Sequence, residues 1–226
     1  MKSFTKLYIP IALETLCYML AGMVDTIMLS TVGDNAVGAV GTANTYINVF
    51  IIMFHVVSSG MIAVMTQYIG AKRIGIAYQA RQLGAVFNAV LGFGLSIFLF
   101  VFSGKILEIV GVAPLLMEYA KTYLKIVGGC CFLNALIPIF SSYLRAFGYT
   151  KQPLIATLVA NGVNLGLNAV FLFGLHAGVA GVAWATVLSR ILNLGIVIVA
   201  SKLLVKAKED PERLKNREVF AQIIKV

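Results

Sequence analysis

Six long apolar runs alternate with short polar connections along the chain, at roughly Leu7–Thr31, Thr45–Ile69, Leu83–Phe102, Tyr123–Leu144, Leu154–Phe173 and Val179–Leu204. A helix needs about 20 apolar residues to cross the hydrocarbon core, and each run supplies that length. None alternates with period two, so the runs read as helices rather than barrel strands. The predicted fold is all-α and integral to the membrane: a six-transmembrane-helix bundle over residues 1–205, then a charged cytoplasmic linker over 206–226. A short interfacial helix is expected within Gly104–Lys121.

The polar positions inside the runs carry the chemistry. Glu14 and Asp25 share the first run and stand eleven positions apart, about three turns, so they lie on one face. A charge in mid-bilayer costs at least about 2.5 kcal/mol, which makes an acid there a functional candidate by default. On the second run Asn44, Asn48, His55 and Ser59 fall within about 60° of one another at 100° per residue. Thr157, Asn161, Asn164 and Asn168 do the same on the fifth, and Thr186, Ser189, Arg190 and Asn193 fall within about 100° on the sixth. Such stripes need a bundle interior or a wet cavity. His55 reads as a hydrogen-bonded packing residue. Arg190 either neutralises an acid or serves backbone carbonyls.

Depth groups some of these residues. At 1.5 Å rise per residue, Asp25 lies about 9 Å outward of the midplane, Asn168 about 6 Å and Thr186 about 7 Å, with Asn164 one turn inward. Three helices thus offer a carboxylate, an amide and a hydroxyl at a common level. Oxygen donors suit a hard cation, and a lone carboxylate in a desolvated site equally suits a proton. Glu14 belongs to the cytoplasmic half, with Arg190 near the middle.

Composition agrees with the runs. Of the 226 residues 60% are hydrophobic and 12% charged, with a mean hydropathy of +0.92; soluble domains carry about twice that charge fraction. The net charge of +9 would suggest nucleic acid in a soluble chain, but here it reports orientation, and no nucleic-acid partner is expected. Fourteen of the eighteen Lys and Arg fall on one side of the bilayer, counting Arg145 and Lys151 in the connection between the fourth and fifth runs. Only Lys105, Lys121 and Lys125 fall on the other. The positive-inside rule then places both termini in the cytoplasm of a cell that carries the protein in its plasma membrane. Cys17, Cys130 and Cys131 all sit in apolar runs, without disulfide or zinc spacing. His55 and His176, the two histidines, are assigned to opposite halves of the bilayer, so neither an enzyme nor a cofactor is expected.

Several short motifs resemble one family. Pro10-x-x-x-Glu14 followed by Asp25 is similar to the start of multidrug and toxic compound extrusion (MATE) transporters, as is Gln67-x-x-Gly70-Ala71-Lys72 closing the second run. Leu144-Arg145-Ala146-Phe147-Gly148 with Pro153 resembles that family's turn between helices four and five. Asn161-x-x-Asn164-x-x-x-Asn168, then Gly178-x-x-Gly181 and Ala185-Thr186, resembles its fifth and sixth helices. The resemblance implies an antiporter, driven by Na+ or H+, that exports organic and often cationic compounds by alternating access. It also implies an N-lobe cation site at Asp25, Asn164, Asn168 and Thr186, with Asp25 the Na+ candidate. Many relatives have an aspartate where this chain has Asn168, so the site holds less negative charge and proton coupling stays open. Glu14, Asn44, Asn48, His55, Asn161, Ser189, Arg190 and Asn193 are candidates for the substrate cavity or for coupling.

The family has about twelve helices in two similar lobes, and this chain has six. Phe220–Val226 resembles Phe4–Pro10, as if a second repeat were starting. The reading is an N-terminal lobe whose partner is a C-terminal half; a half-size transporter that dimerises is the alternative. Membrane lipids and a small organic substrate complete the expected partners. A flippase for lipid-linked precursors or polysaccharides is the nearest rival function, and it would want several cationic residues on the central cavity.

Overall fold

The computed structural model describes residues 2–205 and 212–225, and among them every regular element is helical. The elements are α1 (Lys2–Ser30), α2 (Asp34–Gly70), α3 (Ile74–Ile109), α4 (Pro114–Tyr123), α5 (Phe132–Ala146), α6 (Lys151–Ala169), α7 (Gly178–Leu204) and α8 (Asn216–Lys225). Wider π-type turns extend α4 through Leu124–Gly128 and α6 through Val170–Gly174. Among the described residues five helices are long and apolar enough to cross a bilayer, and the α4–α5 pair, bent by 44°, makes up to six.

Helices α2 and α3, of 37 and 36 residues, overrun the second and third predicted spans at both ends. Polar ends such as Asp34 and Lys105 stay helical, because a helix satisfies its own backbone whether lipid or water surrounds it. In consequence α3 occupies the first third of the stretch expected to hold an interfacial helix. The chain beyond it, from Pro114, forms instead the first limb of the bent fourth span. Pro114 at the first turn suits a start there, since its missing N–H would go unpaired in any helix.

Helix α1 packs on α6, α6 on α7, and α5 sits between α2, α3 and α7. One apolar cluster gathers Ala43, Phe54, Leu99, Leu124 and Val182, and a second gathers Met61, Ile76, Ile139, Tyr143 and Val197. Small residues permit close approach: a Cβ on Gly92 would meet Ala135 Cβ at 2.7 Å and Phe132 Cα at 2.9 Å. Asn88, fully buried, donates its amide to the Phe54 and Ala135 carbonyls and so ties α3 to α2 and α5. Large apolar side chains on the outer faces, among them Ile52, Val56, Val90, Ile97 and Leu203, are left for lipid.

The tail, read from the sequence as a charged cytoplasmic linker and the onset of a second repeat, packs back on the lobe where it is described. Residues 206–211 lie outside the described residues, as does Val226 at the end of the repeat-like stretch. From Glu212 onward, however, the chain returns to the ends of α2 and α3. Gln79 exchanges hydrogen bonds with Leu214 and also donates to Asn216, Tyr68 donates to Gln222, and Arg73 pairs with Glu212. Val219 and Ile223 are buried, and the Phe220 ring tilts against Phe87. Alternation of apolar and charged positions lets one face of this short helix leave water.

Candidate functional site

Ala21 and Gly22 on α1 and Ala160 on α6 leave room between the helices, and the polar stripes face that room. Asp25 on α1 accepts a hydrogen bond from the Asn168 side-chain amide on α6 at 2.6 Å. The same amide nitrogen lies 3.3 Å from Asn164 Oδ1, one turn earlier on α6. Asn168 is fully buried, and its own Oδ1 has no hydrogen-bond partner. Asn161 donates to the Cys17 backbone carbonyl at 3.0 Å, fixing α6 against α1 one step further along the stripe.

In front of Asp25 opens a cavity of about 180 Å³. Asn44, Asn48, Asn161, Asn164, Thr186, Ser189, Arg190 and Asn193 line it together with Asp25, and Tyr123 closes it from α4, so five helices contribute to one chamber. The Thr186 hydroxyl donates to the Val182 carbonyl, which leaves its oxygen lone pairs free to accept. Arg190 donates to Asn134 Oδ1 on α5.

A second chamber of about 300 Å³ lies toward the start of α1 and the end of α5. It shares Ile51, Thr157, Arg190 and Asn193 with the first and holds Glu14 and His55. Here the structure corrects the sequence on Arg145. It is not a loop residue in cytoplasmic water; it occupies the last turn of α5 and lines this chamber. Its Nη2 lies 2.6 Å from Glu14 Oε2, with both side chains at or below 20% exposure. The helix runs two residues further than expected because the reversal waits for Gly148, whose φ of +84° a side chain would resist.

Eleven of the twelve candidate residues therefore border one two-chambered cavity, and the twelfth, Asn168, is the buried support behind Asp25. Asp25, Asn164 and Asn168 form a hydrogen-bonded chain, whereas Glu14 and His55 stand apart in the second chamber. Sequence reasoning missed Tyr123, whose phenol reaches the first chamber beside Asn44 and Thr186. It also missed Asn134, the Arg190 acceptor. Tyr123 sat at the edge of an apolar run and shared no stripe, while Asn134 stood alone among apolar residues; the sole signal was a polar group in a span.

Metal fit can be judged from the donors present. One carboxylate, two amide oxygens and a hydroxyl are hard donors of the kind Na+ takes, and no group of three His, Cys, Asp or Glu occurs among the described residues. As it stands, Asn168 turns its NH2 toward Asp25, which suits a bare carboxylate. Turned over, the same amide would present its now unpartnered oxygen to a protonated carboxyl or to Na+.

The MatE family model matches residues 10–170. The chain is 33% identical over 223 residues to the Uncharacterized transporter YisQ of Bacillus subtilis, covering 96% of this chain and 49% of that protein. It is 31% identical over 212 residues to the Probable multidrug resistance protein NorM of Thermotoga maritima, covering 87% and 43% respectively. A solved structure described as the outward-facing conformation of a multidrug resistance MATE family transporter of the MOP superfamily superposes on the whole chain and on 51% of its own, with a TM-score of 0.88 at 22% identity. The chain spans about half the length of the relatives it matches.

Proposed function

The chain belongs to the MatE family, and from that premise we propose that it forms the N-terminal lobe of a transporter that exports organic compounds in exchange for Na+ or H+. The fold itself is that of half a MATE transporter, an all-helical, multi-pass membrane bundle. Alternating access needs a second lobe to rock against, either a C-terminal half or a second copy. Coupling rests on Asp25, with Asn164, Asn168 and Thr186 around it.

One observation supports this most: Asp25 is held by the buried Asn168 amide on the wall of a polar chamber, rather than facing lipid. An amide can serve both states of such a site, its NH2 to the bare carboxylate and its oxygen to the loaded one. Cytoplasmic termini, inferred from the basic residues, would place the Glu14 chamber on the cytoplasmic side and Asp25 toward the exterior. Protons or Na+ then arrive from outside while cargo arrives from within.

A flippase for acidic, lipid-linked cargo is less well supported. Two guanidiniums do line the cavity, but Glu14 holds Arg145, and two carboxylates match two arginines overall. The test is dye efflux under imposed Na+ or H+ gradients with Asp25→Asn. Loss of gradient-driven efflux in a folded, inserted variant is expected. Efflux at the unsubstituted rate would remove Asp25 from the mechanism.

A further inference from the structure

The pair of Glu14 and Arg145 is neither needed for the Asp25 site nor well made as a structural bridge. It joins α1 to α5 through a single hydrogen bond at 2.6 Å, not the two-pronged contact a guanidinium can give a carboxylate. Arg145 Nε is buried with no hydrogen-bond partner. Taking two ions out of water is repaid only when their remaining donors and acceptors are satisfied, and here they are not. A pair of this kind is one that another cation can break.

Charge over the whole cavity shows what happens when it breaks. With Arg145 in place, Asp25 and Glu14 are balanced by Arg145 and Arg190. Arg145 is in the last turn of its helix, so its long side chain can swing toward water at that end. The cavity then holds two carboxylates and one guanidinium, a deficit of one positive charge. One cation, at either acid, restores balance, and two would leave an excess.

We propose that Arg145 is a tethered stand-in for the cargo: an organic monocation enters the second chamber, displaces the guanidinium from Glu14, and lays its apolar body against Ile11, Ile51, Ile137 and Pro138. This rests on the export reading above and names the acid that receives the cargo. It also gives the exchange a physical cause. A cation on Glu14 and one on Asp25 oppose each other through the same charge balance, so one guest leaves as the other binds. The chamber, at about 300 Å³, is at the lower end of the range of small-molecule sites.

The test is equilibrium binding of tetraphenylphosphonium to the purified intact protein, by calorimetry, with no gradient applied. Removing the competitor in Arg145→Met is expected to tighten binding by about tenfold, and Glu14→Gln to weaken it by about tenfold. Arg145→Lys keeps a competing charge and should not reach the affinity of Arg145→Met. Within a Glu14→Gln background, Arg145→Met should bring no gain, and this neutral double variant also guards against a bare acid unfolding the single one. Binding unchanged or weakened by Arg145→Met, a gain that persists without Glu14, or no binding by the unsubstituted protein would each overturn the proposal. Because no gradient enters, such a failure is separate from failure of the Asp25 efflux test.

Discussion

Asn168→Asp is the substitution whose outcome the geometry sets most firmly. Asn168 Nδ2 lies 2.6 Å from Asp25 Oδ1, so an aspartate there would put two carboxylates in contact. Even after relaxing to about 4 Å, two bare charges repel by about 4 kcal/mol at an effective dielectric constant of about 20. That is roughly three powers of ten in an equilibrium constant. The variant must therefore carry a proton or a cation between the two acids, where the unsubstituted site can stay empty on its amide. Up to a thousandfold or so of added Na+ affinity is available from relieving the repulsion. The assay is thermal unfolding of the purified protein at pH 8 in NaCl against choline chloride of equal ionic strength. Ligand at about a hundred times its dissociation constant stabilises by about 2.7 kcal/mol, a shift such a measurement resolves. The sodium effect should be larger in the variant than in the unsubstituted protein, and should shrink toward pH 6 as protons take the site instead. Equal unfolding temperatures in both salts at pH 8, with dye efflux no more sodium-dependent than before, would refute the idea that Asn168 sets the site's charge.

Two further outcomes test the frame around the site. Gly60→Val would drive a side chain into the Ile223 carbonyl, so α8 should leave its seat; faster tryptic cleavage at Arg213, Lys215 and Arg217 would report it, and unchanged cleavage would argue against the docking. Asn88→Ala deletes the amide that joins three helices and leaves a void, and it should destabilise the lobe by about 1 to 3 kcal/mol in a thermal unfolding comparison, with a neutral result counting against that tie.

Much of this arrangement was readable from the chain because bilayers simplify it. Length and hydropathy located the spans, and helical periodicity put Asn161, Asn164 and Asn168 on one line facing Asp25 and Thr186. Arg145 was not readable. Its counter-ion is 131 positions away, and an arginine just before Gly148 looks the same whether it points into water or back into the bundle. The bend in the fourth span was hidden for a different reason: Gly128, Gly129 and the two cysteines are all apolar or small, so hydropathy passes over the break without a dip. Docking of α8 also escaped, since charged residues along a short helix conceal the few apolar ones that find a groove.

That broken span has a mechanical consequence. Tyr123 and Val127, on its first limb, border the chamber of Asp25; Asn134, Ser141 and Arg145, on its second, border that of Glu14. Each compartment thus takes one wall from a different rod, the two rods being joined at residues 129–131. Rotation at this elbow would move those two walls relative to each other, with no helix having to unwind.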